Sequence, residues 1–406
     1  MYFIDALYGK IELDIHPEII KTPELQRLRE IRLCNINSPF ITGGTSLNRF
    51  EHAIGTAYLA QEITRNFKQD QHDHNSFIVA ALLHDIITAP FGHSLEYLYE
   101  SIKNKEYEHA NIWQMIFTGK TIPSSRNFFA EKKSSLHLAL GHATIETIQF
   151  IFERKHPLSE LLINEIDIDN IDNVFRFAFH IGLTFDKKSP LLIAKNLYYK
   201  NGVLFINPEV VSHFEEWFRV RRQLYKYLLE DEGEFMAKAL LERAFIECFK
   251  DDLISEYDWV LTDAEIVKKI LLGKNAIAKN SIQRLMLMDF PTKRKIYYTD
   301  DYEKMDKLLS KEKLNFINYA FTKGVLLHFI SDVKKTCRQL LVKTNDNVGT
   351  QKTIGYLDDR YLIGIFSDNI SGMRVIEKYL REHLNVNLFD VREKMPDETQ
   401  TSFFQS

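Results

Sequence analysis

Residues 77–93 read Phe-Ile-Val-Ala-Ala-Leu-Leu-His-Asp-Ile-Ile-Thr-Ala-Pro-Phe-Gly-His, the most informative segment of the chain. An apolar run ends in the doublet His84-Asp85, and Pro90 with Gly92 then breaks the helix that the run predicts. Two further polar residues lie in apolar surroundings, His52 and Asp169. Two imidazoles and two carboxylates that converge would hold a divalent cation with positions left for water and phosphate oxygens.

The segments around these residues resemble the HD-domain phosphohydrolases, and within them the branch of deoxynucleoside triphosphate triphosphohydrolases that includes the SAM-and-HD-domain protein. The resemblance extends over roughly the first 250 residues. The blocks that carry it are Tyr8-Gly-Lys-Ile-Glu-Leu13, Thr22-Pro-Glu-Leu-Gln-Arg-Leu-Arg29, Asn48-Arg-Phe-Glu-His52, His84-Asp85, Pro90-Phe-Gly-His93, Ile166-Asp-Ile-Asp-Asn-Ile-Asp172 and, more weakly, Phe218-Arg-Val-Arg-Arg-Gln-Leu-Tyr225. The resemblance implies a helical HD domain, a nucleotide substrate and a homo-oligomer.

Composition is compatible with such an enzyme. The 406 residues are 45% hydrophobic and 27% charged, as in a soluble globular protein. The net charge of −4 gives no general attraction to membranes or nucleic acid, although a local basic groove for nucleic acid stays open. The three cysteines form no Cys-x-x-Cys pair, so a thiolate zinc site is not expected and a reducing compartment is favoured. Apolar runs are too short to span a bilayer, and the sequence predicts a cytoplasmic protein.

The pattern predicts a mostly α-helical fold. A short N-terminal hairpin should turn at Gly9, and a helix should follow Asn48. Ser76 is the expected N-cap of the helix that ends at the doublet. We divide the chain into an HD-domain core with a helical extension, residues 1–330, and a small α/β region, residues 331–406.

The resemblance implies that His52, His84, Asp85 and Asp169 are the metal ligands. The doublet at a helix end has an alternative explanation, a helix terminus with an Asp that faces solvent. His52, taken alone, could equally be a hydrogen-bonded core histidine. The ligand types suit manganese, iron, zinc or nickel, and magnesium could substitute.

Two other aspartates near Asp169 are expected to have structural roles. Asp167 and Asp172 could be helix caps, whereas the family register selects Asp169 as the ligand. Asp172 lies three residues further on the same helical face, so it is expected to support the catalytic centre from behind the ligands.

The same resemblance suggests residues that bind substrate and move protons. Arg49 lies about one helical turn before His52, where it could bind a phosphate; an ion pair with Glu51 is the alternative. His93 aligns with a histidine that contacts phosphate. His109 aligns with one near the scissile bond and could protonate the leaving 5′ oxygen, with His142 as its rival.

Two further substrate contacts are proposed, and one of them departs from the family. Arg221 would be a distal phosphate clamp; the alternative is that it simply lies on the solvent-exposed face of its helix. Thr88 stands where the family commonly has a histidine, and threonine is neither a cation nor an acid at neutral pH. Asn170 and Asn173 stand where a lysine and a tyrosine are frequent.

Two functional classes follow. The first is a metal-dependent phosphohydrolase that releases deoxynucleoside and triphosphate from deoxynucleoside triphosphates, or acts on another nucleotide or a phosphodiester. The second is a non-catalytic nucleotide-sensing subunit that keeps the metal ligands, since Thr88 replaces a residue of the active-site loop.

Overall fold

The computed structural model describes residues 1–33, 40–44, 46–65, 71–103, 109–119, 135–164, 166–200, 203–332, 337–342, 350–355 and 360–391. An N-terminal antiparallel hairpin is formed by β1, Tyr2–Asp5, and β2, Gly9–Glu12. The Asp5 side chain accepts hydrogen bonds from the backbone amides of Leu7 and Tyr8, and Gly9 closes the turn with φ of +75°. Glycine adopts this backbone conformation without strain, so the hairpin predicted at Gly9 is confirmed.

Helices make up most of the first half of the chain. They are α1 Pro17–Ile20, α2 Pro23–Gln26, α3 Arg49–Thr64, α4 Gln71–Leu83, α5 His93–Lys103, α6 His109–Phe117, α7 Ser135–Ala139, α8 His142–Phe152, α9 Ser159–Leu162, α10 Ile168–His180 and α11 Ser189–Lys195. Asn48 caps α3 by accepting from the amide of Glu51. The apolar run at the end of α4 is buried throughout and packs against α3 and α8.

The expectation that Ser76 caps α4 is wrong. The helix already includes Gln71, and Ser76 is a buried residue within it. No glycine or proline interrupts residues 71–76, so the polar composition alone did not end the helix.

The second half adds longer helices. These are α12 Val211–Glu230, α13 Glu232–Lys250, α14 Asp263–Leu272, α15 Ala276–Met286, α16 Tyr302–Lys311, α17 Lys313–Thr322 and α18 Ile370–Lys378, with a π-helical turn at Tyr379–His383. Helix α13 is buried on every side from Gly233 to Phe249. It packs against α5, against α15 and against the first strand after α17, and thus joins the helical layer to a sheet.

Two four-stranded sheets complete the fold in the described part of the chain. Their strands are β3 Tyr198–Lys200, β4 Val203–Ile206, β5 Lys293–Thr299, β6 Val325–Asp332, β7 Cys337–Val342, β8 Thr350–Gly355, β9 Arg360–Ser367 and β10 Phe389–Asp390. The strand orders are β10-β5-β9-β6, all antiparallel, and β3-β4-β7-β8, in which β4 and β7 are parallel. Strand β6 crosses the boundary that the sequence predicted at residue 330, and β9, which lies beyond it, pairs with β5, which lies before it. The division into two domains stays a prediction.

The fold class is confirmed: the chain is mostly α-helical, with the hairpin at its start and α/β structure towards its end. Among the described residues, no helix combines the length and the apolar character that crossing a membrane would require.

Candidate metal centre

Three separate helical segments bring the predicted ligands together. Helix α3 carries His52, the turn that follows α4 carries His84 and Asp85, and the first turn of α10 carries Asp169. Asp167 is the N-cap of α10, where it accepts from the amide of Asn170 at 2.8 Å. Of the two neighbouring aspartates, therefore, Asp167 caps the helix and Asp169 faces the histidines.

The four side chains form one cluster. His52 Nε2 lies 2.9 Å from Asp169 Oδ1 and 3.2 Å from His84 Nε2. His52, His84 and Asp169 together offer three ligand atoms that lie within 4.8 Å of one another. Asp85 is at the edge of this group, with Oδ2 at 3.6 Å from His84 Nε2 and at 3.9 Å from His52 Nε2.

Both histidines are oriented by their other ring nitrogen. His84 Nδ1 lies 2.7 Å from the carbonyl oxygen of Ala81, which can only accept, so this nitrogen carries a proton. His52 Nδ1 likewise donates to Asp172 Oδ1 at 2.7 Å. In each ring Nε2 therefore faces the cluster, and it is the nitrogen that would bind a metal after losing its own proton.

The electrostatics of the cluster also suit a cation. Burial pushes the pKa of His52 down, but the carboxylates of Asp169 and Asp172 outweigh it and raise that pKa to about 10. Burial also opposes ionisation of Asp85, whose pKa is nevertheless lowered, chiefly by the charge of Arg49. With the imidazoles left out of the count, carboxylates outnumber guanidinium groups in these contacts: Asp5, Glu51, Asp85, Asp169 and Asp172 against Arg49 and Arg176. A mixed imidazole and carboxylate donor set fits a divalent metal ion, and such an ion would take the place of the protons on the imidazoles.

Asp85 is held on both of its oxygens. Arg49 Nη1 lies 2.5 Å from Oδ2, and the hydroxyl of Thr88 donates to Oδ1 at 3.0 Å. Arg49 therefore pairs with Asp85, whereas Glu51, its alternative partner, accepts from Arg176 at 2.7 Å. Thr88 is buried and contacts the carboxylate, so its predicted contact with substrate stays a prediction.

Asp172 is the centre of a buried polar network behind His52. Arg176 donates to it through Nε at 2.8 Å and Nη2 at 3.0 Å, and the hydroxyl of Tyr8 donates at 2.8 Å. Arg176 Nη1 continues the network to Asp5, at 2.8 Å. Asp172 is fully buried, so it orients His52 and does not face solvent.

Gly55 leaves room for this network. A Cβ atom at this position would lie 2.1 Å from Arg176 Nη2 and 2.2 Å from Asp172 Oδ2. Both distances are far inside van der Waals contact, so only glycine lets α3 approach the Asp172–Arg176 pair this closely.

Four other predicted site residues lie on helices α5, α6, α8 and α12. His93 and His109 are the first residues of α5 and α6, but their side chains lie outside the described residues. His142 is exposed at the start of α8. Arg221 is buried on α12 and lies against the rings of Trp217 and Tyr225, so its role as a phosphate clamp stays a prediction.

Sequence reasoning missed the residues that orient the ligands. The spacing of Asp172 and Arg176, four residues apart on one helix, could have indicated their ion pair. Nothing in the sequence indicates that Tyr8 reaches Asp172, because 164 positions separate them.

Comparisons with known proteins agree with this geometry. The family model "HD domain" matches residues 49–176, which include all four predicted ligands. Deoxynucleoside triphosphate triphosphohydrolase SAMHD1 from Xenopus laevis is 26% identical over 287 residues, which are 60% of this chain and 45% of that protein. The protein of the same name from Bos taurus is 35% identical over 282 residues, 60% of this chain and 46% of that one.

A solved structure supports the fold. A phosphohydrolase from Bacteroides thetaiotaomicron superposes with a TM-score of 0.67 at 16% identity, covering 90% of this chain and 99% of that one. The matches to the curated relatives span about half of those proteins' length. Residues 49–176 thus form an HD domain, and the chain resembles the HD-domain phosphohydrolases, in particular the deoxynucleoside triphosphate triphosphohydrolase branch.

Proposed function

We propose that this chain is a metal-dependent phosphohydrolase that acts on nucleotides, with deoxynucleoside triphosphates as its preferred substrates and deoxynucleoside and triphosphate as products. The observation that carries the proposal is the convergence of His52, His84 and Asp169, with Nε2 of both imidazoles facing the cluster while Nδ1 contacts an acceptor behind it. The HD domain supports hydrolysis of a phosphate ester, and the names of the vertebrate relatives support the substrate class.

The residues of the chain have separate tasks in this proposal. His52, His84, Asp85 and Asp169 would hold a divalent metal ion, of which manganese, iron, magnesium, zinc and nickel are the candidates. The ion, when bound, lowers the pKa of water and offsets the charge of phosphate oxygens.

Access to the cluster supports this division of tasks. The Asp169 side chain is 34% exposed, whereas that of His52 is 1% exposed. In this proposal, the substrate approaches the cluster from the side of Asp169. Arg49 holds Asp85 and lies close enough to the cluster to help fix a phosphate. His93 is the further phosphate contact in this proposal, Arg221 is the distal one, and His109 is the general acid.

The contact of Thr88 with Asp85 supports the two alternative functions, a changed substrate and a non-catalytic sensor. The hydroxyl of Thr88 is used by Asp85, so the family histidine that commonly stands here is replaced by a group that holds a ligand. This favours a changed substrate, either another nucleotide or a phosphodiester in a nucleic acid. It also leaves open a non-catalytic nucleotide-sensing subunit. The homo-oligomer and the cytoplasmic location likewise stay predictions.

One product analysis separates these proposals. The purified protein is incubated with each deoxynucleoside triphosphate and, in turn, manganese, magnesium or iron, and the products are separated by ion-exchange chromatography. Triphosphate release supports the proposal, and monophosphate or pyrophosphate release identifies a different phosphohydrolase. Nucleotide binding without turnover in every metal would contradict catalysis and favour the sensor.

A matched control identifies contaminating activity. The double variant His84→Ala/Asp85→Ala, purified in the same way, should give no product. Product formed at the wild-type rate by this variant would show that the activity does not come from the metal centre.

A further inference from the structure

The loop that follows Asp85 is held by side chains from distant parts of the chain. Residues 86–92 contain no helix or strand, so their backbone groups need other partners. Glu96 accepts from the amide of Ala89 at 3.3 Å. Two more partners, Arg27 and Asp263, come from segments far away in the sequence.

Arg27 spans the loop with one guanidinium group. Its Nη2 donates to the carbonyl oxygens of Ile86, at 3.1 Å, and Thr88, at 2.7 Å. Its Nη1 donates to the carbonyl of Leu261 at 3.0 Å, and the guanidinium lies 5.5 Å from the ring centre of Trp259. The side chain is fully buried. Arginine alone offers enough donors in one plane to reach three carbonyls, which a lysine ammonium cannot match in this geometry.

Asp263 holds the other end of the loop. Its Oδ1 accepts from the amide of Phe91 at 2.8 Å, and its Oδ2 accepts from that of Arg32 at 3.1 Å. Phe91 has φ of +59°, in the left-handed region that bulky residues rarely adopt. Such a conformation persists only where the surroundings enforce it, and the Asp263 carboxylate supplies that restraint.

The same restraint extends to the other side of the metal centre. Residue Ile31, next to the Asp263 partner Arg32, accepts from the amide of Arg49 at 2.9 Å. Arg49 in turn pairs with Asp85. Both the loop after Asp85 and the start of α3 are therefore fastened to the segment from Trp259 to Asp263.

We propose that Arg27 and Asp263 form a clamp that positions Asp85 and Thr88, so that residues 259–263 are part of the metal centre although they lie outside the matched HD domain at 49–176. This inference rests on the proposed function, since it assigns the clamp to the metal centre. Arg27 and Asp263 are positioning residues, because their described contacts are with the loop and its neighbours and not with the ligand atoms.

The first test measures metal affinity. Cobalt(II) is titrated into metal-free wild-type protein and into Arg27→Lys, and its visible absorption reports both occupancy and coordination. Loss of residues that support metal ligands typically weakens affinity about 10–100-fold, and we expect Arg27→Lys to fall in this range with an altered spectrum. The matched control is Arg243→Lys, because Arg243 is also buried but donates to Asn318 on α17 and pairs with Glu247.

The second test measures how strongly the loop is restrained in the absence of metal. Amide hydrogen exchange of residues 86–92 should be faster in Arg27→Lys and in Asp263→Ala than in wild type. Asp263→Asn should recover most of the protection, because its amide oxygen still accepts from Phe91. The control variant at Arg243 should leave exchange in this loop unchanged.

The outcomes are distinct. Weaker cobalt binding and faster loop exchange in Arg27→Lys, with neither in Arg243→Lys, support the clamp. Unchanged affinity and exchange in Arg27→Lys, or equal losses in both lysine variants, overturn it. A wild-type protein that binds no divalent metal overturns the proposed function instead, and the exchange comparison then still decides whether Arg27 and Asp263 restrain the loop.

Discussion

Two buried histidines, each paired with a carboxylate, have opposite electrostatic surroundings in this molecule. His52 faces Asp169 and Asp172, and its pKa is raised to about 10. His328 on β6 pairs with Glu242 on α13, yet burial lowers its pKa, and the charge of Lys313 acts in the same direction. Burial is similar, so the balance of charge decides the direction.

The difference lies in what neutralises the carboxylate. Lys313 Nζ lies 3.1 Å from Glu242 Oε1. Burial opposes ionisation of Glu242, but the charge of Lys313 outweighs it and lowers the pKa to about 2. We call Glu242, His328 and Lys313 the second charged cluster. Its negative and positive charges therefore balance without a further cation. At the metal centre, five carboxylates and two guanidinium groups leave an excess of negative charge once the imidazoles are neutral, and a bound cation would offset that excess.

Metal binding should separate the two clusters most strongly. His84→Ala/Asp85→Ala should abolish both bound metal and turnover while the protein stays folded, because two of the four proposed ligands are lost. His328→Ala should retain the wild-type metal content. Elemental analysis after dialysis, with circular dichroism as the check on folding, measures both. Full activity of the wild type after exhaustive chelation would refute the metal requirement.

A smaller loss is expected within the metal centre when a proton donor is removed and the ligands stay. His109→Ala should lower turnover by about 10²–10⁴-fold, the usual contribution of a general acid, with little loss of metal. Steady-state kinetics and metal content measured on the same preparation check this. If this variant turns over like the wild type, the general acid is another residue, and His142 and His93 are the next candidates.

The free energy of unfolding should also differ between variants of the two clusters. Arg176→Met leaves Asp172 and Asp5 without their buried partner and should cost about 3–5 kcal/mol in the free energy of unfolding. Lys313→Met should cost less, because His328 can take up a proton and replace the lost charge. Urea unfolding measures the first, and NMR titration of His328 should show its pKa rising in the second. An equal loss in both variants, with His328 unchanged, would contradict this compensation.

The smallest expected effect is on the pH dependence of stability. The folded pKa of His328 is below its unfolded value of 6.5, so the unfolded state binds the proton first and stability falls as pH drops below 6.5. Glu242 contributes stability above pH 4.5 that is lost as pH falls towards 2. His328→Asn should flatten the upper part of this curve, and Glu242→Gln the lower part. Thermal unfolding of metal-free protein from pH 3 to 7 gives the curves, and a His328→Asn curve parallel to wild type would exclude this role.

The resemblance to the HD-domain family predicted residues that the structure brings together, namely His52, His84 and Asp169, whereas their role as metal ligands stays a prediction. Local pattern alone did not select them, because His52 could equally be a hydrogen-bonded core histidine and only the family register singled out Asp169. Arg27 and Asp263 could not be predicted, because their partners are backbone groups brought close only by tertiary folding.

Short-range patterns had mixed success. The hairpin turn at Gly9 followed from a residue with special backbone freedom. The cap assigned to Ser76 failed because a polar run does not end a helix unless the backbone is also broken. Thr88 was predicted as a substrate contact and as the replacement of a family histidine, and spacing did not reveal that its hydroxyl bonds to the neighbouring carboxylate.

Gly55 has a consequence for how this protein can vary. A methyl group there would collide with Asp172 and Arg176, both of which are fully buried. Alanine at position 55 is thus accessible only after the ion pair has already been lost, and the pair can be regained only in a chain that has glycine. The order in which positions 55, 172 and 176 are substituted therefore decides which sequences can be reached.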